Sequence, residues 1–157
     1  MAEKSSGILV YRMNKDKWEF LLVFPGGPYY SINKDNHKWS IPKGKIENKE
    51  EPLDTSIREF QEETGIDLSE QRNIIDPLGE IRYNNGKKVF IYCLQKDLDI
   101  NEMSSNTFHM EWPKKSGKEK EFPEIKHYEY MNIEKCRKKC HIKQLELIEH
   151  LYDKLEK

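Results

Sequence analysis

Three glutamates, Glu59, Glu62 and Glu63, stand at i, i+3 and i+4 in a segment bounded by Pro52 and Gly65. On an α-helix that spacing puts all three side chains on one face, within roughly a 100° arc. Carboxylates so placed repel one another by roughly 0.2–0.5 kcal/mol per pair in water, and by more where partly buried. A cation offsets that repulsion. Clustered hard oxygen ligands suit Mg²⁺ or Mn²⁺ rather than zinc, which favours Cys and His. A divalent ion held beside a phosphoanhydride neutralises phosphate oxygens and positions a water for attack. The alternative is a solvated acidic face on a surface helix. For a lone Glu-Glu pair that reading would prevail; Gly44, Glu50, Arg58 and Gly65, at fixed offsets around the three glutamates, weigh against it.

The helix that carries the glutamates is marked at both ends. Pro52 suits a first helical turn, where its missing N–H costs nothing. Gly65 suits the left-handed residue that ends a helix. The spacing therefore predicts a helix over 52–64. Leu53, Ile57 and Phe60 fall on one stripe that packs on a core, and the acidic face borders a cleft. Arg58 is within reach of Glu50 or of Glu62, four residues on.

From 44 to 66 the fixed residues are Gly44, Glu50, Arg58, Glu59, Phe60, Glu62, Glu63, Gly65 and Ile66. This arrangement resembles the signature box of the Nudix hydrolases, with every fixed position filled. Phe60 stands where that family more often has an aliphatic residue. The resemblance implies an α/β fold, an α/β/α sandwich with a central mixed β-sheet. It implies that Glu59, Glu62 and Glu63 bind metal, that the Gly44 carbonyl adds a ligand, and that Glu50 and Arg58 are structural support. It also implies that one carboxylate acts on the nucleophilic water. That base is the first glutamate of the helix, Glu59, or one from a distant loop. Glu111, Glu121 and Glu124 precede the last predicted strand, where many relatives place an extra acidic group. Glu124 and Glu121 rank ahead of Glu111 because they lie nearer that strand.

Lys43 sits in Trp-Ser-Ile-Pro-Lys-Gly, where an ammonium can reach metal-bridged phosphates. The segment resembles the Trp-X-Leu-Pro-Lys-Gly stretch of Nudix members acting on dinucleoside polyphosphates, diphosphoinositol polyphosphates and some nucleoside triphosphates. Tyr29, Tyr30, Phe108 and Trp112 are candidate rings for stacking on a base, Tyr29 and Tyr30 because they follow a Pro/Gly break. Lys114, Lys115, Lys118 and Lys120 form a local basic segment able to steer a polyanion, or simply a solvated charge run.

Elsewhere the pattern predicts strands over 7–12 and 18–24 joined by a polar turn, and a hard break at Pro25-Gly26-Gly27-Pro28. A polar loop (29–38) and a short extended segment (39–42) lead into Lys43. A hairpin over 78–83 and 88–95 turns at Asn84-Asn85-Gly86. The stretch 97–123 shows little periodicity and reads as a long functional loop. A short strand (128–131) follows. A helix then starts after Asn132, a plausible N-cap, and apolar residues at helical spacing continue from Ile142 to Leu155. Strands before and after a central helix, then a terminal helix, give a mixed sheet covered on both faces.

The 157 residues are expected to form one domain (1–157), large enough for a core. Charged residues make up 35% of the chain, yet apolar runs recur along nearly its whole length, which argues against disorder. A net charge of −1 gives no bulk pull toward nucleic acid or anionic membrane. No secretory signal is visible in 1–7, and the apolar run 21–24 is far too short to span a bilayer. Cys93, Cys136 and Cys140 show no disulfide pattern, which fits a reducing cytosol. Cys136, Cys140 and His141 lack the second ligand pair of a zinc site and read as packing.

The expected protein is therefore a cytosolic, Mg²⁺-dependent hydrolase (Mn²⁺ in its place being acceptable) of a nucleoside diphosphate linked to another group. Dinucleoside polyphosphates and nucleoside triphosphates are the favoured substrates. The rivals are removal of pyrophosphate from the 5′ end of RNA and a non-catalytic nucleotide sensor. No membrane partner is expected, nucleic acid is disfavoured, and oligomeric state is open.

Overall fold

The computed structural model describes residues 3–157, so the first two residues of the polar N-terminal segment lie outside the described residues. The alternation of β1 (Lys4–Asn14) and β2 (Lys17–Pro25) sorts their side chains onto two faces. Ile8, Val10 and Leu21 join one apolar cluster; Leu9, Phe20, Leu22 and Phe24 join the other. A central sheet covered on both sides follows from that split. The turn between the two strands uses Lys15 and Asp16 at positive φ, as a two-residue hairpin requires.

β3 (Lys43–Lys45) pairs antiparallel with the start of β1, Gly7 opposite Lys43. β4 (Asp76–Arg82) and β5 (Lys88–Gln95) form the expected hairpin. β8 (Ile125–Asn132) closes the far edge, giving the order β4-β5-β1-β2-β8. β1 and β5 run parallel and the other pairs antiparallel, so the sheet is mixed.

α1 (Pro52–Thr64) occupies the predicted span. Gly65 ends it in the left-handed region at φ 79, its N–H donating to the Gln61 carbonyl. Ile57 and Phe60 are buried against Ile8, Val10 and Leu21. Phe60 is 0% exposed, so the residue that departs from the usual aliphatic contributes burial of about 2–3 kcal/mol. α2 (Ile133–Lys139) and α3 (Ile142–Leu155) cover the opposite face. Asn132 caps α2, accepting from the Lys135 N–H.

Two elements differ from the sequence reading. The stretch 97–123 is not a structureless loop: β6 (Thr107–Glu111) and β7 (Glu119–Pro123) form a separate two-stranded ribbon. Phe108 pairs with Phe122 across it. So short an apolar face leaves almost no periodic signal. The terminal helical stretch is also broken at Cys140, which bridges to Trp39, while the His141 N–H donates to the Trp39 carbonyl. His141 then starts α3, its Nδ1 accepting from the Lys143 N–H.

Gln144 carries the tie that places the approach to the site. Its Oε1 accepts from the Ile41 N–H at 2.8 Å, and its Nε2 donates to Ser40 Oγ at 3.0 Å. Gln144→Leu keeps the volume but leaves a buried N–H without an acceptor. Thermal melting is expected to show a loss of about 2 kcal/mol, or about 4–8 °C. An unchanged melt would show that Ile41 finds another acceptor. No helix among the described residues is long and apolar enough to cross a membrane.

Candidate active site

Arg58 organises the box. Its Nε and Nη2 fork the Glu50 carboxylate at 2.9 Å each, and Nη2 also donates to the Lys45 carbonyl at 3.0 Å. Glu50 in turn accepts from the Glu47 N–H and from Thr55 Oγ1. One guanidinium thus joins β3, the following loop and α1. Arg58 holds the Glu50 carboxyl down to about 2. The Arg58 guanidinium is pushed up in return, chiefly by Glu50. Its remaining edge, Nη1, donates to Glu59 at 3.0 Å and to Glu62 at 3.2 Å.

That single cationic edge does not balance the carboxylates. Burial and then Glu62 push the Glu59 carboxyl up to about 7, against the pull of Arg58. Burial and then Glu59 push Glu63 up to about 8. Glu124, between β7 and β8, faces them from another wall; burial and Glu62 raise it too. Its backbone is pinned on both sides, N–H to the Asn106 carbonyl and carbonyl to the Gly26 N–H. Glu63, Glu124 and Lys43 line one cleft of about 210 Å³. Burial, then Lys87, push the Lys43 ammonium down, while Glu63 and Glu59 oppose that shift.

The other expected residues lie apart. Glu121 sits exposed on the β6–β7 ribbon, accepting from Thr107 Oγ1 and facing His109 at 3.5 Å, and is not brought to the cleft. Glu111 holds the turn of that ribbon by accepting from the Lys115 and Gly117 N–H groups. Tyr29 meets Trp112 edge-on at 5.3 Å, with the Lys114 ammonium over the Tyr29 ring. This aromatic pair therefore belongs to the ribbon's contact with the 26–30 loop. Tyr30 instead lines a second cleft of about 380 Å³, which adjoins the first at Lys43. His37, Lys38, Tyr83 and His141 also line it, and the sequence reading missed all four. The neighbouring pair His37-Lys38 was the one local signal. Nothing local links Tyr83 to His141, whose rings approach to 5.2 Å. Cys136 and Cys140 are core residues at 0% exposure, and burial raises both thiols.

Among the described residues no three His, Cys, Asp or Glu side chains converge as they stand on one point suited to a cation. Glu59 and Glu62 are drawn to Arg58 Nη1 instead. The donor set nevertheless fits a divalent ion. Its ligands are hard oxygens, burial leaves their charge uncompensated, and Glu59 lies over Gly44 in space that a Cβ would fill.

The raised carboxyls predict a metal-linked stability profile. The folded pKa values of Glu59 and Glu63 lie above the unfolded value of 4.5. Between pH 4.5 and about 8 the folded state therefore holds protons that the unfolded chain releases, so metal-free stability falls as pH rises. Glu50 acts oppositely: its contribution is complete above 4.5 and is lost as pH falls toward about 2. The metal-free melting temperature is expected to peak near pH 5, roughly where these opposing trends meet. Mg²⁺ should raise it more at pH 8 than at pH 5.5. Equal increments at both values would separate metal binding from these carboxylates.

The NUDIX domain family model matches residues 2–151. An asymmetrical bis(5′-nucleosyl)-tetraphosphatase of Mus musculus is 31% identical over 109 residues, 64% of this chain and 69% of the relative. An RNA pyrophosphohydrolase of Bartonella henselae is 40% identical over 65 residues, 40% of this chain and 35% of the relative. A crystal structure of a C. elegans Ap4A hydrolase in a binary complex superposes with TM-score 0.62 at 20% identity, over 99% of this chain and 98% of that one. That last likeness concerns the fold.

Proposed function

The chain belongs to the NUDIX domain family, and from that membership we propose a Mg²⁺-dependent pyrophosphohydrolase, cytoplasmic, that cuts a nucleoside diphosphate linked to another group, with dinucleoside polyphosphates and nucleoside triphosphates favoured. One observation carries the reading: Glu63 of α1 and Glu124 before β8 border a single cleft with Lys43, and the helix carboxylates are held there without enough cationic charge to balance them. The name of the Mus musculus relative supports the lean toward nucleosyl tetraphosphates.

Glu59, Glu62, Glu63 and the Gly44 carbonyl would hold the ion, which supplies charge neutralisation of the phosphate oxygens and a water of lowered pKa. Lys43 pairs with the phosphate chain where the two clefts meet. In this reading Glu124, which has a pinned backbone and is not engaged by Arg58, takes the proton of the attacking water, with Glu59 the alternative inside the helix. Arg58 and Glu50 keep β3 and α1 in register. Tyr30 borders the path of the leaving portion, whereas Tyr29 and Trp112 pack against each other at the ribbon and have no part in binding the base.

The test is product release with Mg²⁺, with Mn²⁺ or without metal from a bis-nucleosyl tetraphosphate, a nucleoside triphosphate, ADP-ribose and 5′-triphosphorylated RNA. Metal-dependent turnover, highest on the first two, is expected. Tight nucleotide binding with no turnover of anything would instead establish a sensor. Preference for RNA, with affinity falling steeply in salt, would establish the 5′-end reading.

A further inference from the structure

An α-helix leaves the carbonyls of its last turn without partners of its own. In α1 the Gln61 carbonyl accepts from the Gly65 N–H at the cap, but those that follow are met from outside the helix. Glu62 accepts from the Asn106 N–H at 2.8 Å, Glu63 from Tyr128 Oη at 2.5 Å and Thr64 from the Ser104 N–H at 3.1 Å. We propose that Ser105 is a positioning residue for the reaction, its hydroxyl locking segment 104–106 between the last turn of α1 and Glu124, so that Glu124 is held at a fixed place relative to Glu62 and Glu63. The inference rests on the hydrolase reading above and specifies what sets the place of its loop carboxylate.

Asn106 links the two sides through its backbone. Its N–H takes the Glu62 carbonyl, and its own carbonyl accepts from the Glu124 N–H at 2.9 Å. A single residue therefore joins the backbone of Glu124 to that of Glu62. From the other side the Gly26 N–H holds the Glu124 carbonyl at 2.8 Å. Ser105 closes the arrangement with a side chain. Its Oγ accepts from the Ile125 N–H at 3.0 Å and donates to the Asn106 carbonyl at 2.9 Å. The Asn106 carbonyl thus uses both lone pairs, one toward Ser105 and one toward Glu124. Upstream the segment is anchored by Leu98 and Met103, buried in the same cluster as Ile57 and Phe60 of α1. Downstream Thr107 pairs with Pro123, so the β6–β7 ribbon leaves and returns at this clamp, with Glu124 next after the return. A carboxylate on so restrained a backbone has less freedom to lose on reaching its acting position.

The test combines steady-state kinetics on a bis-nucleosyl tetraphosphate with Mg²⁺ and backbone amide hydrogen exchange. Ser105→Ala removes the hydroxyl from a half-buried residue that belongs to neither apolar cluster, so the fold is kept. Ser105→Thr retains the hydroxyl. Ser105→Ala is expected to lower kcat about tenfold with KM little changed, a smaller loss than removal of the base itself. Ser105→Thr should restore kcat. In a Glu124→Gln background Ser105→Ala should lower kcat no further, because the group it positions is already gone. The Asn106 and Glu124 amide protons should exchange about tenfold faster in Ser105→Ala, while those of β1 and β5 exchange as in the wild type. Wild-type kcat in Ser105→Ala, or equal losses with and without Glu124, would overturn the positioning role, as would unchanged exchange at those two amides. Should nothing be turned over while Ser105→Ala still frees them, the hydrolase reading fails and the clamp on Glu124 stands.

Discussion

Glu63→Gln is expected to lower kcat roughly 10²–10³-fold, as for loss of one preorganised charge-stabilising group. Glu63 lines the cleft with Glu124 and Lys43, and its carboxyl is pushed up to about 8 by burial and by Glu59. A group in that position contributes by carrying charge that a cation must meet. Glutamine keeps the shape and removes the charge. The fold should survive, because Glu63 is held to β8 through its backbone carbonyl, which accepts from Tyr128 Oη at 2.5 Å. Removing an uncompensated buried charge should also raise the metal-free melting temperature at pH 8, and Mg²⁺ should then stabilise the variant less than the wild type. Steady-state kinetics and melting with and without Mg²⁺ provide both readouts. Wild-type turnover in the variant would remove Glu63 from the ion's ligands.

The second large effect separates activity from stability at Gly44. A Cβ there would lie 2.0 Å from Glu59 Cδ and 2.2–2.3 Å from its carboxylate oxygens. Those atoms are the end of a flexible side chain, so Gly44→Ala can be accommodated by swinging Glu59 away. Little stability is lost, since most of the helix packing runs through Ile57 and Phe60 on another face. Glu59, however, leaves the place from which it can share a cation with Glu63. A displacement of about 1 Å at such a group costs roughly a hundredfold in rate. The expected result is a melting temperature close to wild type, kcat/KM reduced about a hundredfold, and weaker Mg²⁺ binding by calorimetry. A variant that melts far lower would mean instead that Glu59 cannot move, making Gly44 a folding constraint.

The two effects share a cause. The acidic face of α1 is held by one guanidinium edge, Arg58 Nη1, to which both Glu59 and Glu62 are bonded. A divalent ion held by Glu59 and Glu62 would compete with that edge for the same oxygens. Arg58 retains its fork to Glu50 and its bond to the Lys45 carbonyl, so releasing Nη1 need not dismantle the loop before the helix.

What the amino-acid sequence determined by itself was local. Pro52, Gly65 and the i, i+3, i+4 glutamates mark α1 and its acidic face because helix geometry relates residues a turn apart. The β4–β5 hairpin was legible from Asn84-Asn85-Gly86 and the alternation beside it. Tertiary structure alone decided which distant groups meet that face. Among Glu111, Glu121 and Glu124, nearness to the last strand ranks Glu111 lowest but does not separate Glu121 from Glu124; the pairing of β6 with β7 turns Glu121 outward, and the Gly26 contact carries Glu124 in. The break before α3 depends on Trp39 bonding to residues about a hundred positions away, and Gln144 and His141 reach Ile41 and Tyr83 only because of it. Such contacts leave no periodicity in the chain, because their energy comes from burial and from hydrogen bonds that exist only once the sheet has brought both ends together.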